Sequence, residues 1–449
     1  MKRSAGISIC FLWILLAIQL LIGAGCTQQN NFKYTQPNII LIMADDLGYG
    51  DVSSYGNPGY ETPNIDQLAE EGLKFTSFYA NSAVCTPTRA ALLTGRYQQR
   101  SGLEGVIYVR GETRQTGLAQ NEITIAELLK KAGYQTGVMG KWHLGYREEF
   151  NPIHQGFDQF YGFVSGNIDY HSHYDNSGIF DWWHNADTLR EEGYSTDLIT
   201  EHSIDFIEVN QDQPFFLYVP HEAPHVPFQG RSDPAYRYSD NEFTYYGPVE
   251  DRHRAYADMM TALDEGVGRI IDKLQETGLQ ENTLVMFVSD NGGLAEYGNN
   301  EPLRGSKTTL WEGGIRVPGI AWWPGKIVPG VTDQPVITMD LLPTFLGLAR
   351  AEKPDTLHLD GLNLSRLIFN RDDLPERNLF WRYRGQKAVR NGAWKLMISD
   401  SDTLLFNLVE DISEERDLSD QYPERVFTLT SAIENWEEDV MSGVRLKTD

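Results

Sequence analysis

Cysteine is scarce in this sequence, with three among 449 residues, and both Cys10 and Cys26 fall within the first 26 positions. If residues 1–25 are cleaved off as an export signal, Cys10 is lost with them. If Cys26 then carries a lipid, Cys85 has no cysteine left to pair with, which excludes a disulfide framework. A secreted protein with one odd thiol either buries it in the core or uses it. The purpose of Cys85 is therefore the first question that the sequence raises.

Positive charge is also in short supply. Lys and Arg total 38 against 63 Asp and Glu, and the formal net charge is -25. This balance repels nucleic-acid phosphates and anionic membrane surfaces, so nucleic acid is not expected as a partner. If the substrate is an anion, basic side chains inside its pocket have to overcome the field of the whole protein, which makes each of them informative.

Long apolar runs are confined to the N-terminus. Lys2 and Arg3 precede ISICFLWILLAIQLLIGAG, which predicts an export signal over residues 1–25. The letters GAGC resemble a bacterial lipobox, so Cys26 is expected to be the lipidated first residue of a lipoprotein. A cleaved soluble protein and an uncleaved anchor are the alternatives. Polar residues 26–36 predict a tether, and the expected location is the periplasm or membrane surface of a bacterium.

Four short apolar runs end in charged or imidazole residues, with helical patterns between them. The runs are PNIILIMADD, YQTGVMGKWHLG, PFFLYVPHEAPHVP and NTLVMFVSDNGG, and the helical patterns cover 122–133, 196–208 and 255–278. This alternation predicts an α/β fold over residues 37–375, a large, mostly parallel sheet flanked by helices. The carboxyl ends of parallel strands collect functional residues, so positions as distant as Asp45 and Asp290 are expected to converge.

Residues 376–449 have a different pattern of short strands and turns. Turns are predicted at Arg384-Gly385, at Asn391-Gly392 and over 400–402, and PERVFTLTSAIENWEEDV predicts a terminal helix. A small domain of antiparallel sheet plus one helix is expected there.

Two pairs of polar residues, Asp45-Asp46 and Asp290-Asn291, follow two of the predicted strands. Either pair alone fits turn or capping chemistry. Together they offer carboxylate and amide oxygens without an adjacent thiolate or histidine. Such a donor set suits a hard divalent cation, Ca²⁺ or Mg²⁺, better than zinc.

Cys85 opens the stretch CTPTRAALLTGR. Pro87 fits the first turn of a helix, so Cys85 is expected at a helix N-terminus, where unpaired N–H groups and the helix dipole attract anions. Arg89 adds a cation one turn further on. The other interpretation of a lone cysteine is a small buried apolar residue.

The same stretch resembles the signature of the type I, formylglycine-dependent sulfatases of the alkaline phosphatase superfamily, in which the cysteine of C-x-P-x-R is oxidised to formylglycine. Further matching blocks, from about residue 36 to beyond 420, are NIILIMADDLGYGDVSSYG, GKWHLG, GFDQFYGF, APHVPF, VSDNGG, LRGSKTTLWEGGIRVP and LLFNLVEDISEERDLS. The resemblance implies an alkaline-phosphatase-like fold, a sulfuric ester hydrolase activity, and a formylglycine-generating enzyme as the maturation partner.

The resemblance also assigns roles to individual residues. It implies Ca²⁺, with Mg²⁺ as the alternative, and the matching ligand positions are Asp45, Asp46, Cys85, Asp290 and Asn291. One hydroxyl of the hydrated formylglycine at residue 85 would attack sulfur to form a covalent sulfo-enzyme, and the second would expel sulfate, which a serine cannot do.

Charged and imidazole side chains complete the implied catalytic set. Arg89, Lys141 and Lys307 match the cations that neutralise the sulfate oxygens. His143 matches the histidine that hydrogen-bonds the formylglycine. His225, alone or with Lys307, matches the proton donor to the leaving oxygen, and Asp290 is also the candidate base that activates the nucleophile.

The segment 163–193 is dense in His, Asp and aromatic residues and is similar, more loosely, to sulfatases that act on algal galactans such as carrageenan. A sulfated polysaccharide or its oligosaccharides is the expected substrate. The candidate sugar-binding residues are Asp169, His171, His173, Trp182 and Trp183. The alternative is that these aromatic residues pack the segment against the sheet.

Three other functions remain open on the sequence. One is an arylsulfatase that acts on small aryl esters, and another is a phosphonate or phosphate ester hydrolase of the same superfamily. The third is a glycan-binding lipoprotein in which Cys85 is never modified. Asn291 after Asp290, where two-zinc phosphatases would place Asp-His, favours a single hard cation.

Overall fold

The computed structural model describes residues 36–56, 59–239 and 244–442. The predicted signal segment 1–25 and all but the last residue of the predicted tether lie outside these residues. Within the three ranges, no helix has both the length and the apolar character needed to cross a bilayer.

The described part of the chain alternates strands and helices. Its strands are β1 (Asn38–Ala44), β2 (Leu73–Tyr79), β3 (Gln135–Lys141), β4 (Gln159–Phe163), β5 (Trp183–His184), β6 (Asp187–Thr188), β7 (Phe215–Pro220), β8 (Thr283–Ser289), β9 (Arg316–Trp322), β10 (Gly330–Thr332), β11 (Val336–Ile337), β12 (Asn378–Tyr383), β13 (Gln386–Asn391), β14 (Trp394–Ile398) and β15 (Thr403–Asn407). Its α-helices are α1 (Pro63–Glu71), α2 (Cys85–Thr94), α3 (Ile125–Lys131), α4 (Ser195–Val209), α5 (Arg252–Glu276), α6 (Glu312–Ile315), α7 (Leu341–Ala349), α8 (Ser365–Asn370) and α9 (Pro423–Met441).

One eleven-stranded sheet forms the centre of the fold. Its order is β10-β2-β9-β8-β1-β7-β3-β4-β5-β6, and β11 also pairs with β2. The four strands that the apolar runs predict are neighbours, β8-β1-β7-β3, and all run parallel. The mostly parallel sheet is therefore confirmed. The sequence did not indicate β9, which runs antiparallel between β8 and β2.

The two faces of β1 explain its unbroken apolar run. Ile39, Leu41 and Met43 pack into a core on one face with residues of α2, α3 and α7. The intervening residues Ile40 and Ile42 pack into a second core with α1, α4 and α5. Because side chains alternate between the faces of a strand, a strand covered on both faces is apolar throughout.

The C-terminal sheet is antiparallel, in the order β12-β13-β14-β15. Each of its three connections falls at a predicted turn, and α9 is the predicted terminal helix. The expected boundary at residue 375 falls between α8 and β12. Trp381 of β12 lies in a core shared with Tyr79 of β2, and its indole N–H donates to the Ala80 carbonyl (2.8 Å).

A buried ionic cluster also joins the two sheets. Lys395 of β14 lies 2.9 Å from a carboxylate oxygen of Glu312, at the start of α6, and 2.8 Å from one of Glu414. The second Glu312 oxygen accepts from Tyr79 and Arg316. Burial by itself would raise the pKa of Glu312, but Lys395 and the nearby arginines lower it to about 2. We call Lys395, Glu312 and Glu414 the Lys395 cluster.

The buried side chain of His221 is expected to lower the free energy of unfolding in mild acid. His221 is fully buried, neither ring nitrogen has a hydrogen-bond partner among the described residues, and burial lowers its pKa from 6.5 to about 4. The unfolded chain then binds more protons than the folded chain between these values, so the unfolding free energy falls as pH falls. Between pH 7 and pH 5 this one group is expected to remove about 2 kcal/mol.

Urea unfolding as a function of pH tests this expectation. His221→Phe should flatten the dependence between pH 7 and pH 5, whatever the substitution does to stability at pH 7. His358→Gln, at a side chain that is 74% exposed, is the matched control and should leave the slope unchanged. An unchanged slope in His221→Phe would contradict the assignment.

Candidate active site

The parallel register brings the predicted residues to one edge of the sheet. Ala44 of β1 lies opposite Ser289 of β8, so Asp45 and Asp290 leave adjacent strands side by side. The Asp46 amide donates to a carboxylate oxygen of Asp290 (3.2 Å), and β3, two strands from β1, ends at Lys141. The expected convergence of residues far apart in sequence is observed.

Cys85 begins α2, as its neighbour Pro87 predicted. Its side chain is only 2% exposed, and its sulfur lies 3.5 Å from an Asp45 carboxylate oxygen. Burial raises the pKa of the thiol well above its ordinary value, and the positive charges of Lys141 and Lys307 do not offset this. Cys85 is therefore an un-ionised thiol, which is a poor nucleophile.

Three buried carboxylates each face a cation. Arg89 donates from Nε (3.0 Å) and from a terminal nitrogen (2.7 Å) to the same oxygen of Asp290. Lys141 contacts Asp45, and Lys307 lies 2.6 Å from Asp46.

The pKa values of two of these carboxylates are shifted in opposite directions. Burial and the negative charge of Asp45 raise the pKa of Asp290 to about 6. Burial also opposes ionisation of Asp46, but Lys307 and His225 lower its pKa to about 2.

The donor set fits a hard cation. Ligand atoms of Asp45, Asp46, Cys85 and His225 lie within 4.8 Å of one another. The Asn291 side-chain nitrogen donates to Asp46 (2.8 Å), while the side-chain oxygen Oδ1 is buried without a hydrogen-bond partner in the described ranges. Buried polar oxygens usually accept a hydrogen bond, so one that has no hydrogen-bond donor is available as a metal ligand. Oxygen ligands suit Ca²⁺ or Mg²⁺.

Both predicted histidines are buried at this edge. His143 bonds the Ile107 carbonyl through Nε2 (2.9 Å), so Nε2 carries the hydrogen, and Nδ1, which no described residue contacts by a hydrogen bond, is a free acceptor. His225 donates from Nδ1 to the Val226 carbonyl (2.6 Å), and its Nε2 lies 3.5 Å from Asp46. Burial lowers the pKa of both rings well below the ordinary value.

A cavity of about 340 Å³ opens above these groups. Its lining includes Cys85, His143, His225 and Lys307, and no described residue in that lining is Asp or Glu. In a chain with an excess of acidic residues, a cavity lined by cations and imidazoles but no carboxylate is suited to an anion.

The candidate sugar-binding residues lie elsewhere, and none of the five is among the described residues that line the cavity. Trp182 is fully buried, its indole N–H donates to Glu191, and it stacks on His173, so for Trp182 the packing alternative is observed. Trp183 donates to Asp181. Asp169 accepts from backbone amides of its own segment and of Arg237, and His171 lies beside the Gly230 carbonyl. These contacts organise the segment and join it to the chain at residues 230 and 237.

The cavity is lined largely by residues that the sequence did not identify as functional. The segment 163–193 contributes Gly166, Asn167 and Asn176 instead. Four tyrosines, a threonine and an arginine come from other parts of the chain, and they are Tyr108, Tyr146, Tyr245, Tyr383, Thr308 and Arg384. No motif marks them. The sequence predicts the turn at Arg384-Gly385, but nothing in the sequence places that turn beside the cavity.

Comparisons with known sequences show to which proteins this chain is similar. The family model described as Sulfatase matches residues 37–351. Arylsulfatase A of Bos taurus is 38% identical over 405 residues, which cover 80% of this chain and 74% of that protein. N-acetylgalactosamine-6-sulfatase of Mus musculus is 36% identical over 414 residues, covering 86% of this chain and 75% of that protein.

A solved structure is also similar. The crystal structure of Ps i-CgsB in complex with k-i-k-neocarrahexaose superposes with a TM-score of 0.81 at 34% identity, covering 90% of this chain and 93% of the other. The family model covers more than half of the chain, and these relatives match most of its length. The chain therefore belongs to the sulfatase family and is a sulfuric ester hydrolase.

Proposed function

We propose that this sulfatase acts on a sulfated polysaccharide or its oligosaccharides, with an algal galactan of the carrageenan type as the leading candidate. The observation that carries the proposal is the junction, at one sheet edge, of Cys85, the cations Arg89, Lys141 and Lys307, and a small cavity whose described lining holds no carboxylate. Similarity over nine-tenths of the chain to a structure bound to neocarrahexaose supports the choice of a galactan.

Residue 85 is the proposed nucleophile, after its thiol has been oxidised to formylglycine by a maturation enzyme. When hydrated, the formylglycine supplies two hydroxyls on one carbon, one to attack sulfur and one to expel sulfate. The un-ionised state of the Cys85 thiol supports this proposal, because the unmodified side chain would be a weak nucleophile. Its place at the start of α2 gives an anionic group at residue 85 the N–H groups and dipole of a helix N-terminus.

The cations are proposed to bind the sulfate only when the carboxylates have another counter-charge. In the described site Arg89, Lys141 and Lys307 neutralise Asp290, Asp45 and Asp46. Asp45, Asp46, Asp290 and Asn291 would hold a divalent cation, for which Ca²⁺ is the first choice and Mg²⁺ the second. Lys141 and Lys307 would then be free to neutralise sulfate oxygens, and bound metal would supply further charge stabilisation.

The histidines and Asp290 are proposed to move protons. His143 Nδ1 is positioned as a free acceptor and would hold the proton of a hydroxyl at residue 85. Lys307, or His225 from Nε2 once its ring has taken up a proton, would protonate the leaving oxygen, since both lie beside Asp46 and line the cavity. Asp290 would act as the base for the attacking hydroxyl, because its buried carboxylate lies at the same edge of the sheet as residue 85, where it accepts from the Asp46 amide.

We also propose export to the periplasm or to the membrane surface of a bacterium. The support is the basic N-terminus followed by an apolar run and the letters GAGC. Mass analysis of the N-terminus of the exported protein separates a lipidated Cys26 from a cleaved soluble form.

Sulfate release from a panel of algal and animal glycans, their oligosaccharides and small aryl sulfates tests the proposed function. The enzyme is matured and supplied with Ca²⁺, and Cys85→Ala is the blank. Release from a galactan that is absent in the blank supports the proposal. Turnover restricted to aryl esters would overturn the glycan assignment and make the chain an arylsulfatase.

The metal proposal predicts a conditional response to sulfate. Adding Ca²⁺ to metal-free protein should raise the Tm, by a gain in unfolding free energy of about 2.7 kcal/mol at a hundred times the Kd. Inorganic sulfate should raise the Tm further only when Ca²⁺ is present, because Lys141 and Lys307 are otherwise paired with Asp45 and Asp46.

Thermal unfolding with each ion alone and with both measures this response. Asn291→Ala should weaken the response to Ca²⁺. Asn282→Ala, at the opposite end of β8, is the matched control and should keep it. Equal stabilisation by sulfate with and without Ca²⁺ would contradict the proposed coupling.

A further inference from the structure

We infer that Arg384 binds a second oxyanion of the substrate, a sulfate ester or a uronate carboxylate on the sugar next to the one that is desulfated. The inference rests on the proposed function and narrows it to glycans that carry at least two anionic groups. It is drawn from the rim of the cavity, where the turn between β12 and β13 meets the loop at Tyr108.

The turn holds Arg384 in a fixed position. Tyr383 and Gln386 pair across the ends of β12 and β13, so Arg384 and Gly385 form a two-residue hairpin turn. Their φ angles are 47° and 79°, the two positive values of a type I′ turn. A positive φ is uncommon for arginine, and here the paired strands impose it. The side chain is therefore presented by a rigid hairpin.

Arg384 lacks a carboxylate partner in the described parts of the chain. Its contacts are a long hydrogen bond to the Tyr108 hydroxyl (3.4 Å) and the face of the Tyr383 ring, 5.2 Å from the guanidinium. Arg382, two residues earlier, pairs with Glu104 and Glu437. Asp400 approaches the turn at Gly385 but forms no ion pair with Arg384. In a chain with 63 acidic and 38 basic residues, an exposed arginine without an acidic partner is available to a ligand.

The position of Arg384 relative to the reacting groups fits a second anion. Tyr383 and Arg384 line the same cavity as Cys85, His225 and Lys307. The cavity, of about 340 Å³, is at the small end for ligand sites, a size that suits one sulfated sugar beside the buried Cys85 and leaves the exposed Arg384 to its neighbour. A group bound by Arg384 at the rim therefore belongs to the neighbouring sugar.

The chemistry of this rim fits a sulfated or uronate-containing glycan. A guanidinium offers a planar pair of N–H donors that match two oxygens of a sulfate or a carboxylate. Tyr108, which is 51% exposed, presents its ring beside Arg384 to the face of a sugar. Because the contact is exposed, its contribution should weaken as ionic strength increases.

Binding of three defined oligosaccharides tests the inference. The probes are a galactan tetrasaccharide with one sulfate, its analogue with a second sulfate on the adjacent sugar, and a monosulfated disaccharide that contains a uronate. Each is measured as an inhibitor of aryl sulfate hydrolysis by the matured, Ca²⁺-loaded enzyme. The readout is the ratio of inhibition constants between the singly and doubly charged probes, because a general distortion of the site changes both alike.

The wild type should prefer the doubly charged probes by about tenfold, and Arg384→Ala should reduce the ratio to near one. Arg384→Lys should retain part of it. Arg366→Ala, an exposed arginine of α8, is the control and should leave the ratio unchanged. The disulfated and the uronate probes identify which oxyanion is preferred.

Two results would overturn the inference in distinguishable ways. If the wild type binds the probes but Arg384→Ala keeps the same ratio, Arg384 does not recognise the second anion, and the proposed glycan function stands. If the wild type hydrolyses aryl sulfates and none of the three probes inhibits, the glycan assignment fails and the inference fails with it.

Discussion

Cys85→Ala is expected to lose turnover of every sulfate ester by roughly 10⁴-fold or more, because it removes the proposed nucleophile and not one of several supporting groups. The fold should survive. The substitution removes one sulfur atom from a buried position, and neighbouring residues of α2 such as Leu92 and Leu93 keep their places in the core. Initial rates on an aryl sulfate and the Tm of the same preparations are the measurements.

Cys85→Ser, kept unmodified, sharpens this test. A serine has one hydroxyl, so it can accept a sulfuryl group from the substrate but cannot expel sulfate by re-forming an aldehyde. We expect at most one equivalent of alcohol product per enzyme, and a peptide that carries a stable sulfated serine at position 85 in the mass spectrum. Sustained turnover by Cys85→Ala, with a normal Tm, would refute the nucleophile assignment.

Lys395→Ala is expected to lower the unfolding free energy by about 3–5 kcal/mol, because it leaves Glu312 and Glu414 buried without their shared cation. The loss should also reduce turnover. Glu414 accepts from the Glu312 amide (2.7 Å), and its carbonyl accepts from Arg304, so the Lys395 cluster fixes both ends of the loop that carries Lys307. Urea unfolding and rates on an aryl sulfate measure the two effects.

Two variants separate the ionic effect from packing. Glu414→Gln in a Lys395→Met background removes the buried carboxyl group that loses its lysine partner, so it should recover part of the stability. Lys387→Ala, whose partner Glu437 lies nearer the surface, is the matched control and should change stability by less than about 1 kcal/mol. Equal losses in Lys395→Ala and Lys387→Ala would contradict the role of the Lys395 cluster.

Residues at strand ends could be predicted from the sequence because their position follows from the sheet. Once four apolar runs are taken as parallel strands, Asp45, Lys141 and Asp290 have to leave the same edge. Cys85 could also be placed, because Pro87 identifies the first turn of α2. In these cases local signals and the overall fold agree.

Residues outside the parallel strands could not be placed at the site in the same way. Tyr108 and Arg384 lie 276 positions apart and meet only because the C-terminal sheet packs beside the cavity. Trp182 looked available to a sugar because its segment lacks helix or strand periodicity, yet a hydrogen bond to Glu191 and stacking on His173 bury it. Such contacts depend on tertiary packing, which no spacing in the sequence reports.

The strand order of the central sheet also determines at which stage of synthesis the site can be completed. Arg89, one turn after Cys85, finds its carboxylate partner Asp290 only 201 residues later. At about 5–20 residues per second, the ribosome needs roughly 10–40 s to make that stretch. Until β8 pairs with β1, Asp290 is missing from the edge of the sheet around Cys85, and Arg89 lacks the carboxylate partner that it has in the complete fold. In the complete sheet Cys85 is 2% exposed, too little for a protein-sized catalyst to reach, so the proposed oxidation of its thiol has to precede the closing of the sheet.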